Sequence, residues 1–277
     1  MKYKNKVSLL VLFLILFMGS ELKAQEVGFQ LYSLRDQFKE DVDATLKTIS
    51  SWGITKIEGG STYGLSKEEF LDKLKKNNLT MVSYDVSFED LRDSPEEVIK
   101  RAKFFGASFI MCAWIPHSGN KFTLKNVKKA VAVFNKAGEM IKSEGLNLVY
   151  HPHGYEFRPY KQGTLFDYMV SNADFFDFEL DVFWVKQAGE NPLELLRKYP
   201  NKFKLLHLKD RKHGTVSNNT GSADQEANVV LGTGDVGIKS LVAEAKKNGI
   251  KYLFIEDESS NVLSQVPKSL KYLKTLE

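Results

Sequence analysis

The chain has 277 residues, a formal net charge of +4 and a single cysteine. One cysteine excludes an internal disulfide, and Cys112 falls in an apolar run, where a buried, inert thiol is expected rather than a nucleophile. Residues 1–24 hold four lysines against one glutamate, a net +3, which leaves about +1 on the remainder. This near-neutral balance indicates neither a nucleic-acid partner nor an acidic membrane surface.

The first 24 residues have the organisation of a secretory signal peptide. Three lysines lie within the first six residues, an apolar stretch covers 7–19, and the small residue Ala24 precedes Gln25. The stretch is short for a membrane span. We therefore expect residues 1–24 to be removed and the mature protein, beginning near Gln25, to work in the periplasm or outside the cell without a stable membrane span. A retained anchor is the alternative.

Short apolar runs alternate with longer amphipathic runs along the rest of the chain, which is typical of a parallel sheet with helical crossovers. Ser94-Pro95-Glu96-Glu97 predicts a capping box with proline in the first helical turn. Glycine recurs where helices should end, at Gly53, Gly106, Gly145 and Gly249. Strands are predicted at 27–32, 56–58, 80–84, 109–113, 146–150, 178–181, 203–207 and 252–255, and helices among them at 66–76, 94–105, 124–143, 192–199 and 238–247.

Eight strands in this length predict a closed barrel. Removal of 24 residues from 277 leaves 253, close to the roughly 250 residues of a β/α barrel. A doubly wound open sheet shows the same alternation, but the first strand is not followed by a glycine-rich phosphate-binding turn. The sequence therefore predicts one α/β domain over 25–277, a single (β/α)8 TIM barrel.

Residue types that bind metal ions end four consecutive predicted strands. They are His151, Asp181, His207 and Glu256. The carboxyl ends of barrel strands converge on one face, so these side chains are expected to share a site. A lone histidine after a strand is more often a structural hydrogen-bonding group. The combination of Asp181, His207 and Glu256 is what favours a metal.

These motifs resemble those of the xylose isomerase-like barrels of the sugar phosphate isomerase/epimerase superfamily. The likeness implies a divalent metal held by a Glu, an Asp, a His and a Glu on strands five to eight. Those positions fall here on His151, Asp181, His207 and Glu256. Strand five departs from that pattern and follows the subgroup with a Tyr-His-x-His motif. Imidazole at this position favours Mn, Zn, Co or Fe over Mg. The matching segments are 28–36, 150–153, 179–184, 207–210, 232–234 and 256–257.

The resemblance also implies the residues that move protons. Ketose epimerases of this superfamily use both glutamates as proton acceptor and donor. With one glutamate replaced, Glu256 is expected to share that work with His151 or His153. Lys209 lies on the same strand face as His207 and is expected to stabilise a developing enolate oxygen. A salt bridge from Lys209 to an acidic ligand is the alternative.

Five residues are candidate substrate contacts: His153, Glu58, Asp85, Trp114 and Trp184. His153 should lie one step nearer the barrel mouth than His151, with orientation of a ligand as its alternative role. Glu58 would bind a sugar hydroxyl or form a salt bridge at the mouth. The tryptophans offer flat faces to a sugar ring, although such residues are more often core. Asp85 stands where relatives carry a histidine.

Two other features receive structural interpretations. Gly232-Thr233-Gly234 is expected to be a tight turn rather than a phosphate cradle. His117 follows the fourth strand and is expected to be solvated rather than functional. An exported protein would seldom meet sugar phosphates, which also disfavours a phosphate site.

The predicted function is that of a metal-dependent sugar isomerase or epimerase, which removes a proton next to a carbonyl of a sugar or keto-sugar. Two alternatives stay open: a metal-dependent lyase or hydratase acting on an oxidised (keto) glycoside, and a non-catalytic exported sugar-binding protein. Barrel endonucleases for abasic DNA use many histidines, and this chain has five. The expected partner is a small carbohydrate rather than nucleic acid, and a homo-oligomer is compatible with the sequence.

Overall fold

The structure is a computed structural model that describes residues 25–276. The predicted signal peptide lies outside the described residues. Eight parallel strands close into a barrel in the order β1-β8-β7-β6-β5-β4-β3-β2, which confirms the predicted TIM barrel. The strands are β1 (Glu26–Gln30), β2 (Lys56–Gly59), β3 (Thr80–Asp85), β4 (Phe109–Cys112), β5 (Asn147–Tyr150), β6 (Asp177–Asp181), β7 (Phe203–Leu208) and β8 (Tyr252–Ile255).

Helices surround the barrel, and none among residues 25–276 is long and apolar enough to cross a membrane. Two short antiparallel pairs lie in the loops, Pro159–Tyr160 with Gly163–Thr164 and Asp210–Arg211 with Asn228–Val229. The helices are α1 (Arg35–Glu40), α2 (Val42–Ser51), α3 (Lys67–Lys76), α4 (Phe88–Asp93), α5 (Pro95–Phe105), α6 (Leu124–Ser143), α7 (Leu165–Ser171), α8 (Val182–Gln187), α9 (Pro192–Lys198), α10 (Ile238–Lys247) and α11 (Val262–Lys274).

The strand β7 shows how the barrel separates its core from its site. Leu206 and Leu208 pack outward into the main core between sheet and helices. Leu205 points inward and joins an apolar floor within the barrel, and His207 lies above it on the same face because strand side chains alternate. The floor consists of Val82, Met111, Val149, Leu205 and Phe254. It closes the barrel interior beneath the polar groups at the carboxyl end.

The boundaries of the strands and helices follow the predictions except at the end of β1, and one predicted capping motif is absent. β1 ends at Gln30 because Leu31–Leu34 turn into a 3-10 helix. The capping box predicted at Ser94 is wrong, since its side chain makes no capping hydrogen bond. Ser94 also terminates α4, where its N–H donates to the Asp90 carbonyl at 2.9 Å and its ψ is 50°. The glycines at 53, 106, 145 and 249 have φ between 70° and 80°, as predicted.

Candidate metal centre

The four predicted metal ligands lie side by side, buried at the carboxyl end of the barrel. Asp181 Oδ2 is 3.4 Å from His151 Nε2 and 3.8 Å from His207 Nδ1. Glu256 Oε2 is 3.4 Å from the same His207 Nδ1. One ligand atom each from His151, Asp181 and His207 lies within 4.8 Å of the others. Atoms held about 2.0–2.2 Å from a tetrahedral ion are roughly 3.3–3.6 Å apart.

One buried nitrogen of this cluster has no hydrogen-bond partner, and its surroundings show whether the cluster suits a cation. His207 Nδ1 has no hydrogen bond although it is enclosed by protein and lies between the carboxylates of Asp181 and Glu256. An unpartnered buried polar atom is costly. Two imidazoles and two carboxylates are donors that suit Zn, Mn, Co or Fe. The residues present therefore fit a divalent ion.

Asp181 is held in place by the start of the next helix. Its Oδ1 accepts hydrogen bonds from the N–H groups of Phe183 at 2.8 Å and Trp184 at 3.0 Å, which leaves Oδ2 toward the histidines. Burial by itself would raise the pKa of Asp181. The neighbouring imidazoles of His151 and His207 and the ammonium of Lys209 outweigh burial and hold this pKa well below its usual range. Asp181 is thus a charged acceptor fixed by the α8 backbone.

Lys209 balances the charge of the eighth-strand glutamate. Its Nζ is 3.2 Å from Glu256 Oε2, and it also pairs with Glu258. The ammonium lies 5.2 Å from the ring centre of Phe183 and 5.4 Å from that of Trp184. Burial would raise the pKa of Glu256, but Lys209 and His207 lower it to about 2. Glu256 therefore stays ionised beside a fixed cation.

Two glutamates, Glu58 and Glu179, lie beneath His207. Glu179 is not among the predicted site residues. His207 Nε2 is 2.5 Å from Glu58 Oε1 and 3.2 Å from Glu179 Oε1, and both carboxyls are fully buried. Burial and the neighbouring Glu58 raise the pKa of Glu179 well above its usual range. Burial would lower the pKa of His207, but Glu179, Glu58 and Glu256 raise it. The sequence could have pointed to Glu179 because it lies two residues before Asp181. Alternate side chains of a strand point to the same side, so both point into the barrel.

The loop after β5 places a third imidazole near the cluster. The rings of His153 and His151 have centres 4.4 Å apart, and Trp184 lies 5.4 Å from His153. Burial, with a smaller effect of His151, lowers the pKa of His153 to about 3, so the ring is neutral. Sequence reasoning missed Glu156, which is buried, accepts a hydrogen bond from the Tyr150 hydroxyl, and binds the backbone N–H of His153 at 3.1 Å.

The residues predicted to contact substrate lie in different parts of the barrel mouth and interior. Glu58 lies beneath His207 rather than at the barrel mouth, so its partner is a ring nitrogen and not a surface cation. Asp85 lines a cavity of about 370 Å³, and its Oδ1 has no partner. Trp184 lines a second cavity, of about 190 Å³, together with Lys209. Trp114 is 49% exposed and lines neither of these cavities.

The remaining motifs have structural roles. His117 is half-buried, stacks on Trp114 with ring centres 4.3 Å apart, and donates from Nδ1 to the Ile115 carbonyl at 2.7 Å. The amides of Gly232 and Gly234 donate to Asp210 Oδ2 at 2.8 and 2.9 Å. That turn therefore holds an internal carboxylate. Burial raises the pKa of the Cys112 thiol to about 12, which makes it unreactive.

A closed β/α barrel that carries a buried group of imidazoles and carboxylates at the carboxyl ends of its strands belongs to the barrels with a metal-type site at the mouth. Comparison with known families narrows this class. The chain belongs to the xylose isomerase-like TIM barrel family, whose family model matches residues 46–276.

Curated relatives of the chain are inosose dehydratases. The protein of Clostridium perfringens strain 13 is 32% identical over 154 residues, which cover 50% of this chain and 51% of that protein. In this match the chain spans about half the length of the curated relative. The protein of Mesomycoplasma hyopneumoniae strain J is 25% identical over 265 residues, which cover 84% of this chain and 88% of that protein.

Solved structures share the fold. A sugar phosphate isomerase/epimerase from Parabacteroides distasonis ATCC 8503 has a TM-score of 0.73 at 23% identity, with 92% of this chain and 98% of that chain covered. The IolI protein with a bound zinc atom has a TM-score of 0.67 at 15% identity, with 91% and 96% covered.

Proposed function

We propose that the chain is a metal-dependent lyase that removes water from a polyhydroxylated ketone of the inosose type. The observation that carries the proposal is the buried group formed by His151, Asp181, His207 and Glu256, with an unpartnered His207 Nδ1 at its centre. The inosose dehydratase relatives, one of them matched along most of the barrel, favour elimination over the isomerase or epimerase activity predicted first.

The proposed ion would be held by His151 Nε2, Asp181 Oδ2, His207 Nδ1 and Glu256 Oε2. When bound, a divalent ion supplies a Lewis acid that stabilises the enediolate formed next to a ketone. Zinc, manganese, cobalt and iron suit this donor set better than magnesium. The zinc atom in the IolI structure is consistent with this choice.

The reaction needs a proton acceptor near the carbon next to the ketone. Glu256 is the proposed acceptor because it is ionised and lies at the cluster edge beside Lys209. The neutral ring of His153, whose Nδ1 has no partner, is the alternative acceptor. The neighbouring carbon loses its hydroxyl, which takes up a proton and leaves as water. A carbon-carbon double bond forms and no redox change occurs.

Lys209 is proposed to compensate the negative charge that develops on the enolate oxygen. Its ammonium is buried and stays protonated, because Glu256 and Glu258 raise its pKa despite burial. Fixed charges in an enclosed site stabilise developing charge more strongly than charges in water do. The cavities beside Asp85 and Trp184 would receive the hydroxyl-bearing parts of the substrate.

Incubation of the metal-loaded protein with an inosose in deuterated water, followed by NMR, tests the proposal. We expect loss of water to an unsaturated product. Deuterium incorporation into an epimer without loss of water would instead favour an isomerase or epimerase. Bound metal with neither exchange nor elimination would favour a sugar-binding protein. The His207→Ala variant is the matched control, since it should lose metal and activity together.

A further inference from the structure

His207 contacts the metal-type cluster through one ring nitrogen and a buried carboxyl pair through the other. Nδ1 faces Asp181 and Glu256, whereas Nε2 faces Glu58 and Glu179. A neutral imidazole carries a proton on only one nitrogen, and the other nitrogen offers a lone pair. Whether Nδ1 can bind an ion therefore depends on which nitrogen holds the proton.

A chain of hydrogen bonds that starts at the backbone N–H of Tyr32 indicates which nitrogen of His207 carries the proton. The N–H of Tyr32 can only donate, and it lies 3.1 Å from Gln30 Oε1. This contact fixes the orientation of the Gln30 amide, so that its Nε2 is the donor toward Glu58 Oε1 at 2.8 Å and toward Asp85 Oδ2 at 3.3 Å. Glu58 Oε1 is consequently an acceptor.

The same oxygen of Glu58 lies 2.5 Å from His207 Nε2. Because Oε1 already accepts from Gln30, the ring nitrogen is assigned as the donor and carries the proton. A neutral ring with its proton on Nε2 would offer the lone pair of Nδ1 to an ion held between the carboxylates of Asp181 and Glu256.

We propose that Glu58, itself oriented by Gln30, is a positioning residue that keeps His207 in the tautomer whose Nδ1 binds the ion. Both residues are buried, with exposures of 0% and 2%, and act through the ring rather than on substrate. Carboxylate partners of this kind fix the orientation of a metal-binding histidine and increase its basicity. Glu179 Oε1 lies 3.2 Å from the same nitrogen but forms no hydrogen bond with it. The inference rests on the metal site of the proposed function.

A rival arrangement uses the same atoms. Glu58, Glu179 and His207 also bring one ligand atom each within 4.8 Å of one another. A second ion at that position would require His207 Nε2 to be without its proton. The position of the proton and the number of bound ions therefore separate the two arrangements.

NMR of the full protein labelled with nitrogen-15 histidine reads the proton position directly. We expect His207 in the zinc-loaded protein to carry its proton on Nε2, and one zinc ion to bind per chain. A proton on Nδ1 in the zinc-loaded protein, or two zinc ions per chain, would overturn this inference and leave the proposed reaction standing. A protein that binds no divalent ion would overturn both.

The Glu58→Gln variant tests the contribution of the carboxylate. We expect its zinc affinity, measured by competition with a chromogenic chelator, to fall by about 10–100-fold, the range seen when such partners are removed. Glu26→Gln is the matched control, because it makes the same substitution at the amino-terminal start of β1, where the glutamate pairs with Lys251 and not with His207, and its affinity should stay unchanged. Wild-type zinc affinity in Glu58→Gln would contradict the assigned role.

Discussion

Replacement of Lys209 by methionine separates the stability of the site from its chemistry. The lysine is 1% exposed and pairs with Glu256 at 3.2 Å as well as with Glu258. At an effective dielectric constant of about 20, attraction between unit charges at that distance is about 5 kcal/mol. Removal of one partner from a buried ion pair typically costs about 3–5 kcal/mol. Both arguments indicate a large loss of stability at neutral pH.

Urea unfolding of metal-free protein at pH 7 measures this loss. We expect Lys209→Met to lower the free energy of unfolding by about 3–5 kcal/mol. Lys251→Met is the matched control, because Lys251 forms a partly exposed pair with Glu26 at 2.7 Å and such pairs contribute about 0–1 kcal/mol. A Lys209→Met loss no larger than that of the control would refute the reasoning.

The same variant should change metal binding and activity in opposite directions. Zinc affinity should rise, because a cation next to a proposed carboxylate ligand has been removed. Turnover should fall, because the enolate charge is no longer compensated. The two measurements are made on the same zinc-titrated sample. Zinc affinity and turnover that fall together would indicate a purely structural role for Lys209.

Glu256→Gln should retain part of the metal but slow proton exchange in deuterated water by about two to four orders of magnitude; exchange at the wild-type rate would make an imidazole the base. His153→Ala should keep the metal and raise KM, and a loss of zinc from this variant would argue instead for a role in holding a ligand. Glu256 has a folded pKa of about 2 against an ordinary value of 4.5. Its contribution to stability, about 3 kcal/mol, is therefore complete above pH 4.5 and lost as pH falls toward 2; urea unfolding of metal-free Glu256→Gln should lack that slope. Native protein from the cell should begin near Gln25, and a mass that includes Met1 would refute export by cleavage.

The arrangement of the eight strands could be predicted because it depends on local patterns. Apolar runs separated by amphipathic segments specify β/α units, and the parallel orientation of their strands places every strand carboxyl end on one face. Asp181, His207 and Glu256 end such strands, so their proximity followed from topology without any knowledge of packing. The glycines that end helices could be predicted for the same reason, since a helix end depends on neighbouring residues of the chain. The capping box at Ser94 failed because that residue also ends the preceding helix, a competition that the four-residue pattern does not encode.

The sequence by itself determined the barrel, its length and the strands whose ends carry the proposed ligands. Only the tertiary structure decided how deep each polar side chain lies. Glu58 and His207 are 149 residues apart and meet because the closed barrel brings β2 and β7 across its interior. Local periodicity tells which face of a strand a residue occupies, but the stagger between strands sets its height along the barrel axis. Glu58 was expected to contact a sugar, but at its height in the barrel it contacts His207 instead.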